Sequence, residues 1–197
     1  MKGLAAYILA GGRSSRMGKD KALLELAGKR LIVRAVELAR QITSELAIVG
    51  DAVKFAPYGP VVSDVFPGCG PLGGIHAALM ASICDFNLVV PVDTPFLNAP
   101  LLNYVAQQAR SSGAMVTVPS TGRHLHPLCA VYRKEFAGVA EKALRSGNYK
   151  IDALFDQVQV RVISEEELRK NHLPASLFRN VNTPEEWRQA ERECAPG

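Results

Sequence analysis

Leu4-Ala-Ala-Tyr-Ile-Leu-Ala-Gly-Gly-Arg-Ser-Ser-Arg-Met-Gly-Lys-Asp-Lys21 opens on an unbroken apolar run, Leu4–Ala10, and then breaks into a glycine pair followed by cations. A run with no polar alternation is the pattern of a strand covered on both faces, as in a parallel sheet between two helical layers. The pattern recurs in Leu46-Ala-Ile-Val49 and in Asn87-Leu-Val-Val-Pro-Val-Asp93. Between the first two runs, Leu31, Ala35, Leu38, Ala39 and Ile42 recur at helical spacing, with Arg34, Glu37, Arg40 and Gln41 among them. Shorter strands are expected at Pro60–Asp64, Ala114–Pro119, Leu128–Tyr132 and Val158–Ile163. Phe66–Gly74 reads as loop from its Gly and Pro content, and Ser120–Pro127 as a polar link. A helix is expected to carry Ile75, Ala78, Leu79 and Ser82, another to run from a cap at Asn98 through Pro100 to Ser112, and a third to span about Lys134–Ser146. Two late helices close the chain, the last starting at Thr183-Pro-Glu-Glu186, where a capping Thr precedes a proline and a capping-box Glu. Strands alternating with helices predict an α/β three-layer sandwich, a mostly parallel sheet with helices on both faces.

Length and composition set the frame. At 197 residues and 48% hydrophobic, the chain is expected to form a single domain over 1–197 with a sizeable core, which excludes a disordered chain or a coiled coil. No apolar run approaches the roughly 18 to 20 residues of a membrane helix, and the N-terminus enters a strand-like segment without a leader pattern. A cytoplasmic protein with no membrane partner is expected. The net charge of +4 is too small an excess, and aromatic–basic striping too absent, to predict nucleic-acid binding. Cys69, Cys84, Cys129 and Cys194 lack metal-ligand spacing and read as idle thiols.

In a parallel α/β sheet, ligands bind beyond the carboxyl ends of the strands, so the loop after the first strand is the first candidate site. Gly11 and Gly12 remove side chains where backbone must turn and approach a ligand, and their amides suit phosphate oxygens. Arg13, Arg16, Lys19 and Lys21 place four cations within nine residues, a match for a triphosphate. Two common phosphate motifs are excluded. Gly12 and Gly18 are separated by five residues rather than four and Asp20 follows Lys19, against a Walker loop, and adjacent glycines break the dinucleotide fingerprint.

Asp93 ends a strand that points into the same crevice. With a polyphosphate there its carboxylate suits Mg²⁺, which takes one or two carboxylates, waters and substrate phosphates; the alternative is that Asp93 caps its own turn. Asp64 also ends a strand, and is either a nucleotide or metal contact or a solvated turn acid. The backbone of Gly70–Gly74, Gly73 included, can lie flat against a base or ribose, although packing alone could account for these glycines.

Taken together, Leu9-Ala-Gly-Gly-Arg-Ser-Ser-Arg-Met-Gly18 with Asp20-Lys21, Gly70-Pro-Leu-Gly-Gly74, Val92-Asp-Thr-Pro-Phe96 and Asn180-Val-Asn-Thr-Pro-Glu185 resemble the molybdenum cofactor guanylyltransferases of the nucleotidyltransferase superfamily. The resemblance implies a Rossmann-like nucleotidyltransferase sheet and an enzyme that joins GMP from GTP to the terminal phosphate of molybdopterin, releasing pyrophosphate. It implies GTP contacts from Leu9, Ala10, Gly11, Gly12, Lys21, Asp64, Gly73 and Asp93, with Arg16, Lys21 and Asp93 catalytic and Asp93 the Mg²⁺ ligand. Gly50 falls where the family often has a base-side Asn. The N-terminal half would hold GTP and metal and the C-terminal half the pterin, with His126, Lys150, Asn180 and Asn182 as candidates. Cofactor-biosynthesis or molybdoenzyme-maturation proteins are the implied macromolecular partners. A cytidylyltransferase, a sugar-nucleotide enzyme and a non-catalytic GTP-binding accessory protein are the alternatives.

Overall fold

In this computed structural model, which describes residues 3–11, 20–181 and 183–194, the opening apolar run is β1 (Leu4–Leu9), buried at every position. Its side chains divide by parity. Ala5, Tyr7 and Leu9 enter one core cluster, and Ala6, Ile8 and Ala10 another on the opposite face, which is why no polar residue interrupts the run. A short antiparallel hairpin follows, β2 (Glu25–Leu26) and β3 (Lys29–Arg30). Then come α1 (Leu31–Arg40), β4 (Leu46–Val49), the single-turn α2 (Ala52–Phe55) and β5 (Val61–Val62). The middle of the chain holds α3 (Pro71–Ala81), β6 (Phe86–Pro91) and α4 (Ala99–Ser112). Beyond it run β7 (Val116–Thr121), β8 (His124–Leu125), β9 (Ala130–Arg133) and α5 (Phe136–Arg145), then β10 (Val160–Ile163), α6 (Glu165–Lys170) and α7 (Pro184–Cys194).

The central sheet runs β10-β7-β9-β6-β1-β4-β5, with β8 paired to β7 at its margin. β1 pairs in parallel with both β4 and β6, whereas β9 lies antiparallel between β6 and β7. Apolar residues of α3 and α5 cover one face; α1 and α4 cover the other, against Ala6, Ile8, Leu88 and Val90. The result is three layers, as the alternating pattern predicts. Asn98 Oδ1 accepts from the Leu101 amide at 3.0 Å and opens α4, and Gly113 at φ 67° closes it. Thr183 and Glu186 form the reciprocal capping box at the start of α7.

Two segments fold otherwise than expected. Pro71–Gly74 is the first turn of α3, not loop. Pro71 sets the helical φ at the start, and the glycines let the helix lie close to its neighbours: a Cβ at Gly74 would stand 3.3 Å from Leu9 and 3.6 Å from Val49. The link after β7 folds back as a hairpin, with Thr121 paired to His124 around Gly122 at φ 56°. Among the described residues, no helix is long and apolar enough to cross a membrane.

Candidate active site

The carboxyl ends of β1, β4 and β6 stop at one edge of the sheet. The chain leaves β1 toward β4 and β5, then returns across it to β6, so this edge is a topological switch point, where open α/β sheets bind ligands. A cleft of about 900 Å³ opens there, at the upper end of the size of small-molecule sites. It is lined by Leu9, Ala10 and Gly11 from β1, by Val49 and Gly50 from β4, and by Pro91, Val92 and Asp93 from β6. Asp64, Gly68, Gly70 and Gly74 line it between β5 and α3, and Asp20 and Lys21 complete the wall. Leu9, Ala10, Gly11, Lys21, Gly50, Asp64 and Asp93, spread over the sequence, thus meet in one space. Gly12, Arg16 and Asn182 lie outside the described residues.

The glycines at the cleft have different reasons. The amides of Ala10 and Gly11 donate to the Val49 carbonyl at 3.0 and 3.2 Å, so they join β1 to β4 and the Gly11 amide is not presented to phosphate. Among the described residues, a Cβ at Gly11 would meet no atom nearer than 3.9 Å, so its bareness leaves room on the cleft side rather than satisfying internal packing. At Gly50 the opposite holds: a Cβ would sit 2.9 Å from two ring carbons of the buried Phe55. At Gly73 a Cβ would sit 3.0 Å from both carboxylate oxygens of Asp64, so this glycine lies beneath Asp64, not on the cleft wall.

The two strand-end acids are held differently. Asp64 Oδ1 accepts from the Phe66 amide at 2.9 Å, an Asx turn that fixes its carboxylate. Asp93 lies in the turn after β6, and among the described residues its carboxylate accepts no hydrogen bond, so it does not cap its own turn. Its backbone is nonetheless fixed: the Val181 amide donates to the Asp93 carbonyl at 3.2 Å, and Thr94 Oγ1 donates to Asn180 Oδ1 at 2.7 Å. Asp20 accepts from the Ala22 amide and pairs with Lys54 at 2.6 Å, which offsets one negative charge at the cleft wall.

The acceptor-side candidates separate. Asn180 stands beside the Asp93 turn. His126 stacks on Phe178, two residues before it, with ring centroids 4.1 Å apart, and its Nε2 is 2.7 Å from Thr121 Oγ1. Burial first, and then the neighbouring His124, hold His126 below the usual histidine range, so it is neutral near pH 7. Lys150 is exposed next to Tyr149, whose hydroxyl is raised above its usual range first by Cys69, in the loop between Gly68 and Gly70. Sequence reasoning missed Thr94, Phe55 and Lys54, whose partners are fixed only by the fold. It also missed His76, buried under Phe66 at 5.1 Å between ring centroids, which burial keeps neutral. Burial pushes the Cys129 thiol up to about 12 and raises that of Cys84, so neither serves as a nucleophile.

Hard oxygen donors at Asp64 and Asp93 share the cleft, and among the described residues no group of three His, Cys, Asp or Glu could cage a metal. This is the donor set of an ion that shares its shell with water and substrate phosphate, which fits Mg²⁺ and not a structural zinc.

Comparison with known proteins agrees with this geometry. A family model for the MobA-like NTP transferase domain matches residues 6–163. A probable molybdenum cofactor guanylyltransferase of Pelotomaculum thermopropionicum is 41% identical over 179 residues, covering 90% of this chain and 86% of the relative. The molybdenum cofactor guanylyltransferase of Desulfosudis oleivorans is 32% identical over 200 residues, covering 100% and 98%. Among solved structures, molybdopterin-guanine dinucleotide biosynthesis protein A from Archaeoglobus fulgidus superposes with a TM-score of 0.85 at 28% identity, covering 96% of this chain and 98% of that one.

Proposed function

We propose, for a chain that belongs to the MobA-like NTP transferase family, that the reaction is transfer of GMP from GTP to the terminal phosphate of molybdopterin, with release of pyrophosphate. The observation that carries the proposal is the meeting of Lys21, Asp64 and Asp93 in one cleft at the switch point of the sheet.

The nucleophile is a phosphate oxygen, ionised near neutral pH, so no general base is needed. The remaining task is to bring two polyanions together and hold them in line. Lys21 at the cleft wall offsets that repulsion, and Arg16 is assigned the same role on its sequence position. Gly11 leaves the strand end bare for close approach of the nucleotide. Asp93, whose carboxylate accepts no hydrogen bond among the described residues, would hold Mg²⁺; the bound ion would screen the α-phosphate as a Lewis acid. Asp64, fixed by the Phe66 amide, orients the nucleotide, and Gly50 offers only backbone on the base side. His126, Lys150, Asn180 and Asn182 are assigned to the acceptor side.

The test is pyrophosphate release with purified protein, molybdopterin and Mg²⁺, supplied with GTP or CTP. Release from GTP at least tenfold faster than from CTP is expected. Faster release from CTP would move the protein to the cytidylyl branch, and tight GTP binding without release under any acceptor condition would make it a carrier.

A further inference from the structure

We infer that the C-terminal segment Arg179–Val181 holds the Asp93 turn in its working geometry, with Thr94 and Asn180 as positioning residues. The inference rests on the transfer reading above, in which Asp93 meets the metal.

The turn is grasped at three points by one distant segment. The Val181 amide donates to the Asp93 carbonyl at 3.2 Å, the Thr94 hydroxyl donates to Asn180 Oδ1 at 2.7 Å, and the Arg179 guanidinium lies 4.1 Å over the Phe96 ring. The segment is itself anchored. Arg179 Nη1 bonds Glu193 on α7 at 3.2 Å, and Val181 and Ala190 pack into a cluster with Leu26 and Leu31. That cluster reaches the β2–β3 hairpin, so one segment is tied to the acid turn and to the structure that follows Lys21. Thr94 is 6% exposed, so its hydroxyl needs a partner, and Asn180 supplies one.

The physical consequence lies in the contrast at Asp93. Its backbone is pinned from across the chain while its carboxylate makes no protein hydrogen bond among the described residues. A carboxylate on a fixed backbone meets an ion with strict octahedral demands at little cost in ordering, whereas one on a loose turn must be ordered when the ion binds. Outer-shell groups that orient a ligand change metal affinity by about 10- to 100-fold when removed.

The experiment compares wild type, Thr94→Val, Thr94→Ser and Asn180→Ala. Three quantities are read: Mn²⁺ affinity of the GTP-bound protein from the EPR signal of free Mn²⁺, GTP affinity in chelator, and the Mg²⁺ midpoint of pyrophosphate release. Thr94→Val keeps shape and removes the donor; Asn180 is exposed, so Asn180→Ala tests the same bond without disturbing the core. The expected result is a Mn²⁺ affinity and Mg²⁺ midpoint weakened by about tenfold in both variants, GTP affinity in chelator within twofold of wild type, and recovery in Thr94→Ser. Unmoved metal affinity with only a raised KM for molybdopterin overturns the inference and leaves Asn180 an acceptor contact. So does a Thr94→Ser variant no better than Thr94→Val. Wild-type protein that releases no pyrophosphate from GTP sinks the transfer reading itself, a result distinct from either.

Discussion

Gly50 offers a quantitative test of how the cleft wall is built. A Cβ placed there would stand 2.9 Å from both Cδ2 and Cε2 of Phe55, against an ordinary contact of 3.4–4 Å, so the ring must retreat by at least half an ångström. It has nowhere to go: Phe55 is 1% exposed and packed among Ile8, Ile32, Val36 and Ile48. Overpacking of this kind costs about 1–3 kcal/mol. For a domain of this length, about 2 kcal/mol corresponds to a Tm lowered by about 4–8 °C. The assay is a double-mutant cycle by urea unfolding, comparing Gly50→Ala in the wild-type background with Gly50→Ala in the Phe55→Leu background. The shorter side chain removes the ring edge, so the second step should cost under about 0.5 kcal/mol and leave an interaction energy near 1.5 kcal/mol. A Gly50→Ala protein within about 0.5 kcal/mol of wild type, or an equal cost in both backgrounds, would refute the steric argument. The same geometry explains why this chain carries no Asn here: Phe55 occupies the volume its Cβ needs.

Three further outcomes follow from the site and its frame. Gly73→Ala gains about 1 kcal/mol of helix propensity but sets a methyl 3.0 Å from both Asp64 oxygens, so calorimetry should find GTP binding weakened about tenfold while Tm changes little; full affinity would separate Asp64 from the nucleotide. Asp93→Asn should lower pyrophosphate release about a thousandfold with an unchanged unfolding midpoint, because among the described residues the carboxylate supports no protein bond, and a normal rate in Mg²⁺ would remove Asp93 from the metal. Arg161 bonds Glu167 and holds its carboxyl below the usual range, so this pair's stabilisation is complete above the ordinary carboxylate pKa and is lost as pH falls through the depressed one. The stability gap between wild type and Glu167→Gln should therefore be present at pH 7 and close in acid below the ordinary carboxylate range. With both side chains about a third exposed, the gap should be no more than about 1 kcal/mol, and one that widens in acid would reverse the assignment.

Much of the frame was legible because it rests on local physics. Apolar runs marked β1, β4 and β6, helical periodicity marked α1, and Asn98 and Thr183 announced their helices by capping chemistry. The cleft followed from the general placement of ligands at strand ends. What was not legible depends on long-range packing. Gly70-Pro-Leu-Gly-Gly74 has the composition of a loop, and only its neighbours across the chain, Asp64 below Gly73 and Leu9 against Gly74, explain why glycines sit inside a helix. Nothing in Ala130–Arg133 signals the direction of a strand, so the antiparallel β9 could not be foreseen. Asn180 was placed by resemblance alone; its bond to Thr94 spans 86 residues and has no local pattern.

The charge balance of the cleft leads to the last step. Asp20, Asp64 and Asp93 line it against Lys21, and Lys54 neutralises only Asp20. Among the described residues the wall sets three carboxylates against two lysines, so a triphosphate brought to it alone would meet an excess of negative charge, and Coulomb repulsion at close range and reduced dielectric is worth several kcal/mol. Two sources of positive charge can relieve it, the divalent ion between carboxylate and phosphate and the cations of Arg13–Lys21. They are separate groups, since the ion needs Asp93 whereas the cations belong to the segment that follows β1 in the sequence. Loss of the ion should therefore lower turnover more than GTP affinity, and loss of the cations should do the reverse. Added salt, which screens side-chain charges more than an ion coordinated by carboxylate and phosphate, should resemble the second loss. An enzyme whose GTP affinity is indifferent to salt but abolished by chelator would place the whole compensation on the metal and leave the basic segment without a role in binding.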